Sequence, residues 1–330
     1  MTPWRMAGVP AVVITMLIGM TGCALAPPDP VPSPTTAVAP LRGTPLSPAD
    51  ACRPALAVKI DNHPAARPQV GLERADLVFE ELVEGGLTRY AGVWHAEVPD
   101  TVGPVRSIRP MDPDILSSLG GIVAYSGGQP RFVAAMEETG MLNLVFDRGD
   151  TDLFARSELR PSPHNVFLGA ADAVEQHADL APPDPQFRYA RSAADATPVG
   201  AGTPTAAITL RFSPTEEREW SWDPDTRSYL RGQNGATDLD STGSALGATN
   251  VVVLRVGVDR TTDVPRTRIT GSGEAWVSVG GATVPATWRK AGPDAPIRLE
   301  DAVGNEVMLA PGNTWIELVP ADDGGVELTP

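Results

Sequence analysis

Short apolar runs and alternating apolar–polar stretches dominate the chain after its first fifty residues. Residues 55–60, apolar except for Lys59, form a run of strand length, which predicts a buried strand. Residues 77–84 and 87–95 read as two strands joined by Gly85-Gly86, a two-residue turn suited to a hairpin. Residues 121–125 predict another buried strand, with Gly127-Gly128 after it and a helix from Pro130 to about Thr139. A further helix is expected over residues 169–178. Beyond residue 205 the pattern is strand-like, at 206–212, 251–258, 273–279 and 313–319, punctuated by turn residues such as Asp223-Pro224-Asp225.

The expected fold class is therefore an α+β first domain, with helices and strands in a mixed α/β layer, followed by a mainly β second domain. The expected boundaries are 1–22 for a signal peptide, 23–51 for a Pro/Thr/Ala-rich tether and 52–190 for the first domain, then 191–204 for a linker and 205–330 for the β-rich part.

The N-terminus reads as a targeting segment. Arg5 precedes an apolar run over residues 7–18, too short for a comfortable membrane span, and Met20-Thr21-Gly22 leads into Cys23. Small residues just before a cysteine match the lipobox of bacterial lipoproteins. Cleavage before Cys23 and lipid on its thiol would anchor the chain to the extracytoplasmic face of the cell membrane. Cys52 is then left without an internal partner and is expected to be buried.

Net charge is -15 over 330 residues. A surface of that sign repels phosphate backbones and anionic headgroups, so nucleic acid is not an expected partner and membrane contact falls to the lipid. Lys59 and Lys290 are the only lysines, and arginine carries nearly all the positive charge.

Taken with a two-residue turn, the hairpin places Leu77, Phe79, Val83, Tyr90 and Trp94 on a core face, with Glu81 as an exception. Glu80, Glu84, Arg89 and His95 fall on the other, with Arg89 opposite Leu82 and diagonal to both Glu80 and Glu84. A guanidinium between two carboxylates would orient both, although a solvated face of loose ion pairs explains the same pattern. Arg106 and Arg109 lie between Pro104 and Pro110, where a rigid turn would aim them at a carboxylate, phosphate or sulfate, or at Glu80, Glu84 or Asp112. Gly127 and Gly128 before a helix offer backbone N–H groups to an anion, or simply a turn. Arg156 and Pro163-His164-Asn165 add a cation and a histidine suited to acid–base work or to helix capping. Lys59, Asp61 and Asn62 end the first buried strand, where mixed folds place ligand contacts or turn residues.

His63, His95, His164 and His177 show no zinc-type spacing, so no metal is expected. No cofactor motif is present, since the glycines lack a P-loop ending and Ser126 lacks a nucleophile elbow. Trp220, Trp222 and Trp315 are expected to pack in the core rather than stack on sugars.

In combination, these residues resemble the YerB-like lipoproteins, a family whose domain is of unknown function. The resemblance is carried by Val58-Lys59-Ile60-Asp61-Asn62, Ala66-Arg67-Pro68-Gln69-Val70-Gly71-Leu72, Ala75-Asp76-Leu77-Val78 and Glu84-Gly85-Gly86-Leu87-Thr88-Arg89. It continues through Gly103-Pro104-Val105-Arg106-Ser107-Ile108-Arg109, Gly127-Gly128, Pro163-His164-Asn165 and Pro311-Gly312-Asn313-Thr314-Trp315-Ile316. Gln129 stands where the family pattern often has serine, which counts against a nucleophile there. The resemblance implies a membrane-anchored, two-domain envelope protein and brings no reaction or cofactor.

Two classes of function fit these residues. One is a binding or accessory protein in which Arg89, Arg106 and Arg109, with the Gly127-Gly128 helix start, hold an anionic group of an envelope glycan or lipid-linked precursor, or dock a cell-wall synthesis protein. The other is a glycan or phosphodiester hydrolase or transferase, with Glu80 or Glu84 as base or nucleophile and His164 as acid. No catalytic signature is complete, which favours the first class.

Overall fold

The computed structural model describes residues 1–3 and 36–330, so Cys23 and the targeting segment lie outside the described residues. In the first half, β1 (Leu56–Asp61), β2 (Leu77–Leu82) and β3 (Thr88–Trp94) are buried at every position. Strands covered on both faces are largely apolar, and β1 is so at Leu56, Ala57, Val58 and Ile60, with Lys59 and Asp61 as its charged members. Next come α1 (Asp112–Leu116), β4 (Ile122–Tyr125), α2 (Pro130–Glu137), β5 (Leu142–Val145) and α3 (Ala170–Gln176). Helix α2 starts with proline at its first position and buries Phe132 and Met136, four residues apart on one face. The second half supplies β6 (Ala207–Ser213), β7 (Glu216–Asp223), β8 (Ser228–Gln233) and β9 (Asn250–Asp259). It continues with β10 (Gly271–Val279), β11 (Ala282–Lys290), β12 (Thr314–Pro320) and β13 (Gly325–Thr329).

A twelve-stranded sheet draws on both halves. From Thr203–Pro204 at one edge it runs β11, β10, β9, β12, β2, β3, β1, β4, β5, with Arg266–Arg268 and Arg298–Glu300 alongside β9 and β11. Strand β12 lies parallel to β9 on one side and to β2 on the other, with Thr314 opposite Leu77 and Glu317 opposite Glu80. A six-stranded antiparallel sheet contains β8, β7, β6 and β13 in that order. Its strand β7 alternates buried and exposed positions, as a strand with one wet face does.

The chain is therefore predominantly β. Expectation had favoured an α+β first part, but the helices there run only five to eight residues and lie on a sheet that continues into the second half. The stretch expected as a linker carries the short helix Thr197–Ala201 and the strand Thr203–Pro204. Ahead of β1, Ala37–Val38 pairs with Pro45–Leu46, and the buried Leu41 joins the core. Cys52 is exposed, contrary to expectation, because it caps the surface helix Pro48–Ala51.

Two apolar clusters cover the two faces of the large sheet. One combines Leu77, Phe79, Ala91 and Val93 with Ile115 of α1 and Met136 of α2. The other combines Val78, Tyr90 and Trp94 with Ala173 of α3 and with Phe212 and Trp220 of the smaller sheet. Trp220 and Trp315 belong to this second core and meet edge to face, 5.2 Å between centroids.

The β2–β3 hairpin corrects the expected register. Val83 N donates to Leu87 O at 2.8 Å, so the turn spans Glu84, Gly85 and Gly86, with both glycines at positive φ. A third turn residue slides the strands by one position. Glu81, not Leu82, lies opposite Arg89, and Glu80 lies opposite Tyr90. Arg89 and Glu81 therefore share the face of Leu77, Phe79, Ala91 and Val93, while Glu80 shares the face of Tyr90 and Trp94.

Candidate functional site

The site forms where β1 and β3 end beside one connecting segment. Asp61, the last residue of β1, pairs with Arg89 at the start of β3. The segment after Pro104 is tied down along its length. Arg106 N donates to Lys59 O at 2.8 Å, Ser126 N to Arg106 O at 3.0 Å, and Ile108 N to Gly127 O at 2.9 Å. The Asp112 carboxylate accepts from Arg109 N at 2.6 Å. These bonds fix the backbone beneath two arginine side chains before any ligand arrives.

A cavity of about 210 Å³ results, its polar lining Asp61, Glu84, Arg89, Arg106, Arg109 and His164 with His63 and Thr88, and its apolar lining Val83 and Leu87. Arg109 Nε donates to Glu84 Oε2 at 2.7 Å, and its Nη1 to Ile108 O at 2.9 Å. Burial pushes the Glu84 carboxyl up, but that hydrogen bond and the nearby positive charges outweigh it, so it lies below the usual range.

Arg89 is 9 % exposed. Its Nη1 donates to Ser107 O at 2.9 Å, and among the described residues no carboxylate lies within 4.0 Å of its guanidinium. Burial first, then Arg109 and Arg106, bring its pKa down to about 10. A buried cation facing two others needs a counter-charge, and none of the neighbouring carboxylates supplies it directly.

Opposite the arginines, Asp61 Oδ2 lies 2.7 Å from His164 Nδ1 and 3.3 Å from Arg106 Nε, while Oδ1 accepts from His63 N at 3.0 Å. A carboxylate can only accept, so Nδ1 carries the proton and Nε2 is left as the basic nitrogen. His63 stacks on His164 at 4.3 Å with an 11° interplanar angle, which fixes the ring further. The cleft thus holds three guanidiniums, two carboxylates and two stacked imidazoles, of which His164 is oriented by Asp61. It can grip an anion with two or more arginines, and it can accept or return a proton at His164.

Not every expected residue reaches the cleft. Glu80 is buried on the opposite face of the sheet, where Thr88 Oγ1 donates to it at 2.6 Å and Arg218 Nε at 2.7 Å, with Arg231 also bound. Burial pushes its carboxyl up, but Arg218 and Arg231 hold it at about 2. Lys59 lies behind the cleft, bound to Glu81 at 2.5 Å and Asp112 at 2.8 Å. Asn62 Nδ2 donates to Thr88 Oγ1 at 2.8 Å. Gly127 and Gly128 pack against Asp147 and Ile108 and so support the arginine segment, outside the cavity lining. Arg156 lies 4.7 Å over the Phe146 ring and donates to Asn165 Oδ1 at 2.7 Å, bracing the loop that carries His164.

Sequence reasoning missed the role of His63, whose only signal was its place two residues after Asp61. It also missed Glu81, pushed up to about 7 by burial and by Asp112. Among the described residues, no group of three or more His, Cys, Asp or Glu side chains could hold a metal ion. No helix among them is long and apolar enough to cross a membrane.

Comparison with known proteins places the chain in a family and matches its fold. A relative from Bacillus subtilis (strain 168), named "Putative lipoprotein YerB", is 27% identical over 280 residues, which is 80% of this chain and 81% of the relative. The crystal structure of YerB protein from Bacillus subtilis superposes with a TM-score of 0.76 at 23% identity, covering 88% of this chain and 99% of that one. Residues 42–182 match the family described as "Protein of unknown function (DUF3048) N-terminal domain", and residues 208–316 match its C-terminal domain. With both parts present in order, the chain belongs to the DUF3048 family, as the resemblance to YerB-like lipoproteins implied.

Proposed function

We propose that this protein is a lipoprotein held to the extracytoplasmic face of the cell membrane through lipid on Cys23, and that its arginine cleft binds an anionic group of an envelope glycan or lipid-linked precursor. The observation that carries this reading is Arg89, a buried guanidinium with no carboxylate within 4.0 Å among the described residues, beside Arg106 and Arg109 in one cavity. An anion entering there meets three preorganised donors and relieves the repulsion among them. Three arginines against two carboxylates leave the cleft with an excess positive charge, in a chain whose net charge is -15. The relative's name supports the anchor, and the lipobox at Cys23 supplies its position.

A thermal-shift panel tests the binding reading. Inorganic pyrophosphate, teichoic-type phosphates and wall-glycan fragments are added to the wild type and to Arg106→Ala/Arg109→Ala. Saturating ligand at about a hundredfold excess over Kd stabilises the native state by about 2.7 kcal/mol. That shift should vanish in the double variant. An equal shift in both proteins, or none with any anion, refutes the arginine reading and favours docking of a cell-wall synthesis protein.

The Asp61–His164 pair favours one second reading, hydrolysis or transfer on a glycan or phosphodiester. In that scheme Asp61 orients the imidazole, His164 Nε2 moves the proton, and the arginines stabilise developing charge. Glu84, bound by Arg109, could assist, whereas Glu80 faces the other core. Turnover of a wall polymer by the wild type, lost in His164→Ala, would promote this reading.

A further inference from the structure

A second cavity, about 530 Å³ in volume, lies between the two halves of the chain and is independent of the arginine cleft. Arg67 and Pro68 form one wall, and Gln233, Asp238, Leu239 and Asp240 contribute to the other. Its volume falls in the range of pockets that hold a small ligand.

The polar lining is built and partly unsatisfied. Gln233 is 3 % exposed, and its Oε1 accepts from Arg231 Nη1 at 3.0 Å, Tyr90 OH at 3.2 Å and Asn62 Nδ2 at 3.3 Å. Three donors on one oxygen fix the orientation of the amide. Its Nε2 then has no hydrogen-bond partner. Arg67 spends Nε and Nη2 on Asn62, at 3.1 and 3.0 Å, and leaves Nη1 without a hydrogen bond among the described residues. Asp240 Oδ1 is used by its own loop, accepting from Thr242 N at 2.7 Å and Ser244 N at 3.0 Å. Exposed Ser241 and Thr237 add hydroxyls at the lining, and Leu239, 41 % exposed, adds an apolar face beside Pro68.

This lining differs in kind from the arginine cleft. One guanidinium faces two aspartates, and Asp238 is already paired with Arg231, so no surplus positive charge invites an anion. What remains is a mixture of donors and acceptors flanked by apolar surface. A sugar presents the complementary mixture, since each hydroxyl both donates and accepts while the ring offers C–H faces. We infer that this cavity is a binding site for a neutral, hydroxyl-rich ligand of one or two sugar units. Its floor is Gln233, its fixed donor is Arg67, and its rim is the 238–243 loop.

The test is saturation-transfer NMR on the full chain in a detergent that carries no sugar, with cellobiose, maltose and N,N′-diacetylchitobiose as probes. Transfer to at least one disaccharide is expected. Ser241→Trp fills the cavity from an exposed rim position that the fold does not depend on, and should weaken that binding at least about tenfold. Gln233→Met should weaken it as well, whereas Arg89→Ala should leave it unchanged. No transfer to any of the three sugars overturns the inference, and so does equal transfer in Ser241→Trp. Loss of transfer in Arg89→Ala would assign the sugar to the arginine cleft instead. Because the probes are uncharged, the result is separable from success or failure of anion binding.

Discussion

Replacing Glu317 by Gln should change how stability depends on pH without changing the fold. Glu317 of β12 lies directly opposite Glu80 of β2, and both are fully buried. Two carboxylates so placed cannot both ionise cheaply, and the surroundings decide between them. Glu80 has Arg218 and Arg231, whereas Glu317 accepts one hydrogen bond from Trp220 Nε1 at 2.8 Å. Burial, then the charge of Glu80, push the Glu317 carboxyl from the ordinary value of about 4.5 up to about 8. The protonated group contributes stability that is fully present below the unfolded value and is lost as pH rises through about 8. Between those limits the wild type forfeits about 1.4 kcal/mol per pH unit from this group, about 3–5 kcal/mol in all. An amide mimics the protonated acid and keeps an oxygen for Trp220. Urea denaturation of wild type and Glu317→Gln from about pH 5 to about pH 9 should give curves that nearly coincide at the acid end and diverge steadily, with the variant more stable. Glu81, raised to about 7, adds the same sign of slope to both proteins and cancels from the difference. Parallel curves would mean that Glu317 is charged in the folded state, and the reasoning would be wrong.

Three other outcomes follow from the same geometry. Glu80→Gln leaves Arg218 and Arg231 without their shared carboxylate and should cost about 3–5 kcal/mol in chemical denaturation; since its folded value is about 2, the wild-type benefit holds above about pH 4.5 and disappears as pH falls through 2. Asp61→Asn removes the carboxylate that competes for Arg106, so calorimetry should show tighter pyrophosphate binding, whereas any turnover should fall because the His164 ring loses its anchor; weaker binding would mean that Asp61 positions Arg106 rather than competing for it. Cys52, exposed at the end of a surface helix, should react with a thiol reagent in the native protein as fast as in urea, and strong native protection would contradict its placement.

How much of this was legible in the sequence depends on the range of the interaction. The helix at Pro130, the strands of the hairpin and the burial of 55–60 follow from local pattern, and each appears within a few residues of its expected limits. Glu84, Arg89, Arg106, Arg109 and His164 were singled out from the chain, and the structure brings all five to one cavity. The place of Glu80 was not legible, because one extra turn residue at Glu84–Gly86 moved it to the other face, and its partners Arg218 and Arg231 lie far away in sequence. The pairing of β12 with β2 had no local signal either, since parallel partners so distant leave no periodicity to read.

That last pairing has a consequence for how the molecule comes into being. Strand β2 finds its second neighbour only when residues 314–320 arrive, far later in the sequence. In chain order the hairpin, the arginine segment and His164 all precede the strand that covers their open flank. Until then the nascent half presents an apolar ribbon edge that could recruit a wrong strand. Closure must wait for the slowest kind of contact, one between distant parts of the chain. Natural selection would then see the two family parts as one heritable unit, since a gene carrying the first alone would encode a protein with an unfinished seam.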